Sequence, residues 1–371
     1  MASYLYQAED YLAAYWLTFL PTQGDCRDLL REWYNNTTRG IYVKIIGSVL
    51  IVVTLVVVMP GCAPGPTEIR DWYDLNAVRN DLAGSYILMN DLNSASAGYA
   101  ELASETANDG RGWEPIGTSD DGFTGSFDAQ GHEIRDLFIN RPDQDYVGLF
   151  GHIAWVRYID NVGVVENVGM VEADVTGSSL VGTLAGHNAG LVNNSYSSGS
   201  VSGYERVGGL VGWNQATLSN SYSSCGVTGS TRVGGLTGDN WYYKGIVSNS
   251  YSTGSVTGTT RVGGLVGINY YGNVTDSYSI GSVTGSIDVG GLVGYNTATV
   301  SNSFWDIETS GQDTSAGGTG KTTAEMKSIV TYSGAGWNTV TVANTDARNP
   351  DYIWNMVGGA TYPFLSWQSV S

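Results

Sequence analysis

The chain has 371 residues, of which 51 are glycine, and carries a formal net charge of −18 with three cysteines and three histidines. This composition argues against three classes of protein. A strongly acidic surface repels nucleic acid, and three cysteines give no disulfide framework. The histidines (His132, His152 and His187) have no metal-ligating spacing, so zinc catalysis is not indicated.

The segment 1–62 predicts an exported, membrane-attached protein. Lys44 precedes an apolar run over Val49–Met59, and Cys62 follows closely after a small residue. A base, a short apolar core and a small residue before cysteine are typical of a lipoprotein-type signal, with Cys62 as the lipidated residue. The alternative is an uncleaved anchor. However, Ile45–Met59 is shorter than the roughly 20 residues that span a bilayer.

Residues 1–40 fit neither a signal nor a stable domain, because they are acidic and lie upstream of the basic residue that should open a signal. We interpret them as a doubtful extension and expect translation to begin near Tyr42 or Val43. Residues 41–62 are then the signal or anchor, and residues 63–66 a tether.

Residues 67–115 predict an N-terminal cap. Apolar residues recur at helical spacing over residues 69–82 (Trp72, Leu75, Val78 and Leu82), and Thr67 and the acids after it favour a helix start, with an end at Gly84. The following stretch SYILMNDL reads as a strand. Such a cap hides the open edge of a stacked β-structure.

Residues 116–175 predict the acidic first coils of the fold. Residues 60–175 hold twenty acidic and six basic residues, a balance of −14. This charge keeps a β-rich protein soluble. Paired acids at Asp120, Asp121, Asp143 and Asp145 favour turns between strands, with structural calcium as the alternative.

Residues 176–306 are an array of repeats. The phrase RVGGLVGWN from Arg206 returns three times with small changes, and each copy is followed by a phrase such as NSYSTGSVTG. The first glycines of five copies are almost evenly spaced, with steps of 26, 26, 29 and 27 in the numbering (Gly182, Gly208, Gly234, Gly263 and Gly290). A repeat of this length without helical periodicity predicts a solenoid.

The composition of the repeat predicts an all-β solenoid. The copies are rich in Gly, Ser, Thr, Val and Tyr, which favour strands and turns, and small or apolar residues alternate with Tyr222 and Thr228. One repeat is long enough for about three short strands. We therefore predict a right-handed parallel β-helix whose coils are roughly 4.8 Å apart. Cys225 is predicted to be a free buried thiol, and the glycine pair a tight corner without room for a Cβ.

In such a stack, equivalent residues lie above one another and form ladders. The sequence predicts one ladder of amides (Asn188, Asn214, Asn240, Asn269 and Asn296). It predicts a second ladder of aromatic rings (Tyr196, Tyr222, Tyr251, Tyr278 and Phe304).

Residues 307–371 predict a C-terminal loop and cap. Thr322 begins a helical turn that continues to Ile329. Four apolar residues are expected to cover the last coil (Trp337, Trp354, Phe364 and Trp367). Gly320-Lys321-Thr322 is not a nucleotide-binding loop, because Ser315 stands where that loop requires glycine.

At this point a family resemblance is clear. The unit VGGLVG…N…NSYSTGSVTG resembles the GLUG motif of bacterial surface and secreted proteins, including adhesin-like and IgA-protease-related chains. The phrase FTGSFDAQGHEIRDLFIN and the stretch from SFWDIETSG onward also resemble the flanks of such arrays. The resemblance covers roughly residues 68–367. It implies a β-solenoid at the cell surface and assigns no chemistry.

Two groups of residues are candidates for ligand binding. Arg206, Arg232 and Arg261 recur in register, and stacked like charges are expected to point outward into solvent. They either prevent edge-to-edge aggregation or form an anion-binding strip for acidic glycans. Aromatic residues beside the ladder asparagines are expected to decorate one rim as loop residues (Trp213, Trp241, Tyr242, Tyr243, Tyr270 and Tyr271).

The sequence therefore predicts an extracellular envelope protein that acts in adhesion or in glycan or protein recognition. We expect no catalytic residue, no cofactor, and neither nucleotide nor nucleic acid as a partner. One alternative is a polysaccharide-active enzyme, but Asp239, Asp276 and Asp288 fall at non-equivalent positions in their repeats. The other is a purely structural envelope spacer.

Overall fold

The computed structural model describes residues 65–156, 161–242 and 244–368. The predictions for residues 1–64, among them the lipid site at Cys62, lie outside the described residues. By packing, the chain divides after Gly65, and the unit that begins at Pro66 is a parallel β-solenoid. The predicted fold class is confirmed.

Four parallel sheets form the faces of the solenoid. Sheet I contains Thr67–Ile69, Ser85–Leu88, Ser126–Asp128, Val164–Glu166, Leu191–Asn193, Thr217–Ser219, Ile246–Ser248, Asn273–Thr275 and Thr299–Ser301. Sheet II contains Glu133–Arg135, Phe138–Arg141, Gly169–Gly177, Tyr196–Ser202, Tyr222–Ser223, Gly226–Thr228, Tyr251–Ser252, Val256–Thr257, Tyr278–Ser279, Val283–Thr284, Phe304–Asp306 and Thr319–Lys321.

The other two parallel sheets follow sheet II in the path of each coil. Sheet III contains Ser179–Val181, Glu205–Gly208, Thr231–Gly234, Thr260–Gly263 and Ile287–Gly290. Sheet IV contains Phe150–Ile153, Ala185–Asn188, Val211–Asn214, Thr237–Trp241, Val266–Tyr270 and Val293–Asn296. Two further small sheets lie outside these faces: a hairpin of Trp155–Val156 with Asn161–Val162, and a sheet of Thr339–Thr341, Trp354–Met356 and Phe364–Leu365.

A complete coil has more and shorter strands than expected. From Glu205 the chain passes through sheets III, IV and I and then twice through sheet II, ending at Thr228. These strands have two to four residues each, where three strands were predicted. The reason is the number of corners, since each corner interrupts the extended backbone.

The phrase Asn-Ser-Tyr marks the corner between sheets I and II. Its asparagines, such as Asn194, Asn220 and Asn249, have φ of +49°, a left-handed conformation that asparagine tolerates better than most residues. The serine after each one is fully buried and bonds the next coil: the amide of Ser221 donates to Ser250 Oγ at 3.2 Å. The tyrosine then points outward into the ring ladder.

The glycine pair lies at the corner between sheets III and IV, as predicted. A Cβ on Gly235 would lie 2.1 Å from Ser252 Oγ and 2.2 Å from the carbonyl oxygen of Gly264. The neighbouring coil therefore leaves space only for glycine here.

Both predicted ladders are present. Each amide Nδ2 donates to the Oδ1 of the next coil, and all four contacts from Asn188 to Asn296 measure 2.8 Å. The tyrosine rings stack at centroid distances of 5.0, 4.8 and 4.8 Å from Tyr196 to Tyr278, and Phe304 continues the column in register. Inside the coils, a leucine column is fully buried (Leu184, Leu210, Leu236, Leu265 and Leu292), as is the free thiol of Cys225.

The N-terminal cap is itself part of the solenoid. Thr67–Ile69 pairs in parallel with Tyr86–Leu88, so Thr67 begins a strand and not the helix. The helix α1 covers Trp72–Ala77, continues as a 3-10 turn to Asn80, and is capped by Asp71, whose Oδ1 accepts from the Asp74 amide at 2.9 Å. A second short helix, α2, covers Tyr99–Leu102.

The C-terminal segment has three short helices: α3 (Ile307–Ser310), α4 (Thr323–Met326) and α5 (Ile329–Gly334). The predicted helical turn does begin at Thr322, which caps α4 in a capping box with Glu325, but it ends at Met326 and Ile329 begins a separate helix. Between α3 and α4, residues 312–318 cross the end of the last coil, where the Gly291 amide donates to the Thr314 oxygen and the Ala316 amide to the Val293 oxygen, both at 3.0 Å.

Of the four aromatic residues expected to cover the last coil, Trp337 reaches it: its ring lies 6.0 Å from Phe304 and its Nε1 donates to the Asn302 oxygen at 2.7 Å. Trp354 and Trp367 lie beside earlier coils. Residues 322–368, here called the C-terminal lobe, lie along the flank of the tyrosine ladder. Trp367 packs at 6.2 Å from Tyr196 and 6.0 Å from Tyr222, while Trp354 lies 5.8 Å from Tyr278. The outward tyrosine rings form an apolar face that the lobe buries, whereas segment 312–318 already covers the last coil.

Candidate recognition surface

The predicted arginine column is real, but its charges are not directed freely into solvent. Arg206, Arg232 and Arg261 have φ of +55°, +59° and +60° in strands of sheet III. The guanidinium groups of Arg206 and Arg261 lie over the rings of Trp213 and Tyr295 in sheet IV. Nε of Arg206 and a terminal nitrogen of Arg232 each lie 3.3 Å from Oδ2 of Asp239. Arg232 also lies 3.0 Å from Glu205 Oε1.

These ion pairs overturn the prediction of a solvated arginine strip. The side chains of Arg206 and Arg232 are 24% and 18% exposed, and Asp239 between them is fully buried. Burial raises the pKa of Asp239 to about 6, against the opposing effect of Arg232 and Arg206. Acids of this chain thus already pair with the guanidinium groups of Arg206 and Arg232, which leaves these two less available to an anion than predicted; anion binding by the column stays a prediction.

Trp213 belongs to sheet IV and is not a loop residue. It occupies the strand Val211–Asn214 in register with His187 and Asp239. Its ring stacks on His187 at 4.4 Å, and His187 stacks on His152 at 4.5 Å. Burial first, then the charge of His152, lowers the pKa of His187 to about 3, so this column is neutral at physiological pH. Trp213 is therefore a packing residue, with Arg206 lying 5.3 Å above its ring.

Four of the predicted rim aromatics do come together, and we call them the aromatic shelf (Trp241, Tyr242, Tyr270 and Tyr271). Trp241 and Tyr270 are not the loop residues that were predicted, because each is the last residue of a strand of sheet IV. Trp241 stacks on Tyr270 at 4.3 Å, and Tyr271 meets Tyr270 edge-on at 4.3 Å. Tyr271 is 61% exposed and Tyr242 is 42% exposed. Tyr243 lies outside the described residues. Ring contacts thus hold Trp241, Tyr270 and Tyr271 together, and Tyr271 leaves most of its surface exposed.

A cleft of roughly 540 Å³ lies beside the shelf. Its floor consists of Leu191, Thr217 and Ile246, the first residues of three successive strands of sheet I. One wall is the hairpin that begins at Trp155, and the other is the loop that carries Tyr242 and Lys244. Lys244 Nζ lies 4.1 Å from the centre of the Trp155 ring, so the two walls are in contact.

Trp155 and Lys244 were not predicted from the sequence. The hairpin of Trp155 occurs once and precedes the recognisable repeats. The loop of Lys244 did leave a signal, because the step from Gly234 to Gly263 is three positions longer than either of the two steps before it. An insertion in one coil of a solenoid maps to a surface loop, often on the binding face.

The acidic candidates lie apart. Asp121 closes a turn with Thr118, and Asp143 pairs with Arg111 at 2.6 Å. Among the described residues, no group of three or more His, Cys, Asp or Glu side chains is placed to hold a metal ion. Asp120 is exposed, and Asp145 accepts a bond from the Ser179 amide at 3.1 Å. These contacts fit the prediction of turns.

The three acids considered for polysaccharide cleavage do not converge. Asp239 is buried under arginines, and Asp288 lies 3.8 Å from Arg261. Asp276, with φ of +48°, occupies the asparagine corner between sheets I and II.

The fold and this surface define the protein as a parallel β-solenoid whose regular coils carry one aromatic, loop-walled face. Two adjacent repeats match the predicted family: residues 229–257 and 258–284 fit the family model of the GLUG motif. Among the described residues, the structure contains no helix of the length and apolar character needed to cross a membrane.

Two curated proteins are similar to part of this chain. Halomucin of Haloquadratum walsbyi is 39% identical over 147 residues, and a provisionally named Gly-rich membrane protein of Evansella cellulosilytica is 39% identical over 85 residues. These matches cover 38% and 23% of this chain but 2% and 10% of the relatives. The chain therefore spans a small part of both.

A solved structure shares the fold. A Bacteroides ovatus protein provisionally named an immunoglobulin A1 protease superposes with a TM-score of 0.57, covering 82% of this chain and 93% of its own. The two sequences are 20% identical, so the likeness extends to the fold alone.

Proposed function

We propose that this protein is a non-catalytic recognition protein of the cell envelope, exposed on its extracellular side, and that the aromatic shelf binds glycans. The observation that carries the proposal is the exposure of Tyr271 beside the stacked rings of Trp241 and Tyr270. Aromatic rings supply a large contact area with little loss of conformational freedom on binding.

The scaffold favours binding at this place. The coils below the shelf are fixed by the amide ladder, whereas the shelf residues lie where the repeats differ in length and content. A rigid framework with variable loops on one face is the usual arrangement of a repeat protein that recognises a ligand.

The cleft beside the shelf favours binding over hydrolysis. Glycoside hydrolysis uses two carboxyl groups that flank the scissile bond. The described residues that line the cleft include neither aspartate nor glutamate. A bound sugar chain would therefore meet stacking and hydrogen-bonding groups there, without a general acid.

Glycan binding can be tested with the purified protein on a glycan array, followed by titration calorimetry of the best ligand. Tyr271→Ala should weaken binding about tenfold, equivalent to about 1.4 kcal/mol. Tyr204→Ala is the matched control, because Tyr204 is 63% exposed but lies at the corner between sheets II and III. Equal effects of both changes would refute the shelf as the site, and no sugar binding at all would favour the structural spacer.

We further propose that Cys62 anchors the protein through a lipid. The support is the apolar run before it and its position just ahead of the solenoid. Since each buried CH₂ of an acyl chain contributes about 0.8 kcal/mol, Cys62→Ser should leave the membrane fraction or remain unprocessed. A variant that fractionates and migrates like the parent would show that Cys62 is not the lipid site.

A further inference from the structure

We infer that the cleft between Trp155 and Lys244 binds an acidic sugar residue, with the carboxylate of the sugar on Lys244 Nζ and the apolar side of its ring against Leu191 and Trp155. This inference rests on the proposed glycan-binding function and names the chemical class of the ligand.

The first argument is that the ammonium group of Lys244 forms no ion pair with the described residues. The chain has 35 acidic side chains, and within the described residues Arg206, Arg232 and Arg261 are each paired with one or more of them. Lys244 takes part in none of the ion pairs of the described residues and instead lies over the Trp155 ring at 4.1 Å. A cation–π contact holds the ammonium in position but leaves its N–H groups available to an anion.

The second argument is the charge of the cleft. Its described lining contains one basic residue and no acidic residue, although the whole chain carries −18. The surface as a whole repels anions, so an acidic ligand gains attraction at this position and not along the solenoid in general.

The third argument distinguishes a sugar from a peptide. Extended peptides bind β-proteins by adding a strand to a free sheet edge. The strand Thr217–Ser219 on the floor is paired on both sides, with Leu191–Asn193 and with Ile246–Ser248, so it offers no such edge. The floor instead places the polar side chain of Thr217 between the apolar side chains of Leu191 and Ile246, and Gln215 adds a second polar side chain to the lining. Ring faces and hydroxyl groups fit this pattern, and the volume of the cleft lies within the range of small-ligand sites.

The experiment compares two probes on the full-length protein: a uronic-acid oligosaccharide and its carboxyl-reduced, neutral counterpart. By titration calorimetry, the wild type should bind the acidic probe at least tenfold more tightly, with an affinity that falls as salt is added. Lys244→Gln should abolish this preference without weakening the neutral probe, and Lys244→Arg should retain most of it. Lys327→Gln is the control, because Lys327 makes a similar contact with Tyr362, at 5.3 Å, in the C-terminal lobe.

Each failure has a distinct meaning. Equal binding of both probes by the wild type would overturn the acidic-sugar inference, while sensitivity to Tyr271→Ala would still support the shelf. A preference that survives Lys244→Gln would place the anion site elsewhere and also overturn the inference. Tight, Lys244-dependent binding of polyglutamate without binding of either sugar would show that the cleft takes acidic peptides.

Discussion

The amide ladder gives the most direct test of how this fold is held together. Asn240 is fully buried, accepts from Asn214 Nδ2 and donates to Asn269 Oδ1, both at 2.8 Å. In Asn240→Ala, Asn214 retains other acceptors, because its Nδ2 also donates to Ala216 at 2.9 Å. Asn269 Oδ1, in contrast, loses the donor that the structure gives it and remains buried.

The expected cost follows from these contacts. The two ladder hydrogen bonds that are lost contribute about 1 kcal/mol each, and a buried acceptor without a donor costs a further 1–3 kcal/mol or so. The longer bonds of Asn240 Nδ2 to the oxygens of Gly245 and Asn273, at 3.4 and 3.3 Å, add less. Asn240→Ala should therefore lower the free energy of unfolding by about 4 kcal/mol. Asn296→Ala is the matched control at the half-buried end of the ladder, where water replaces the lost partners, and should cost about 1–2 kcal/mol.

Urea unfolding followed by circular dichroism measures both variants against the parent protein, and amide hydrogen exchange near Asn269 reports the local effect. The reasoning fails if the two variants lie within about 0.5 kcal/mol of each other, since the cost would then not depend on burial of the orphaned acceptor.

Three further predictions concern charge, core and lobe. Burial raises the pKa of Asp239 from 3.8 to about 6, so this carboxyl favours the folded state at low pH. That contribution, about 3 kcal/mol, is lost as pH rises from 4 through 6. Thermal unfolding of Asp239→Asn should lack this part of the pH dependence, and a pH dependence of stability equal to that of the parent protein would contradict the assignment. Leu236→Ala should cost roughly 2–5 kcal/mol because it opens a core cavity, while Tyr271→Ala should cost less than about 0.5 kcal/mol; comparable unfolding midpoints would place Tyr271 in the core. Trp367→Ala should loosen the C-terminal lobe, so that limited proteolysis removes it while the β-signal in circular dichroism persists, and resistance equal to the parent would argue against flank packing.

The ladders and the buried faces were predictable because each coil repeats the same physical requirement. An amide at the position of Asn240 must bond the amide above and below it, and a glycine at the position of Gly235 must leave space for the next coil. Five copies of one constraint make it visible in a single sequence.

The surface was less predictable because its decisive residues occur once. In the sequence, Asp239 has no visible relation to Trp213, yet the two occupy the same column of sheet IV. The carboxylate of Asp239 forms ion pairs with Arg206 and Arg232, which no repeat pattern predicts. Trp155 and Lys244 meet across the cleft from distant parts of the chain. Contacts of this kind leave no repeating pattern in the sequence and so cannot be predicted from it.

The position of the C-terminal lobe limits how this array can evolve. The lobe reaches from Phe304, 6.0 Å from Trp337, back to Tyr196 beside Trp367, and on the way Gln368 accepts from the Tyr251 hydroxyl at 2.7 Å. The lobe therefore fits only an array with this number of coils between its contacts. Most solenoids gain or lose a repeat freely at the level of the gene, but a coil deleted here would bring every lobe contact out of register. Because those contacts come from residues that follow the array in the chain, they can form only after the coils that they span have been synthesised.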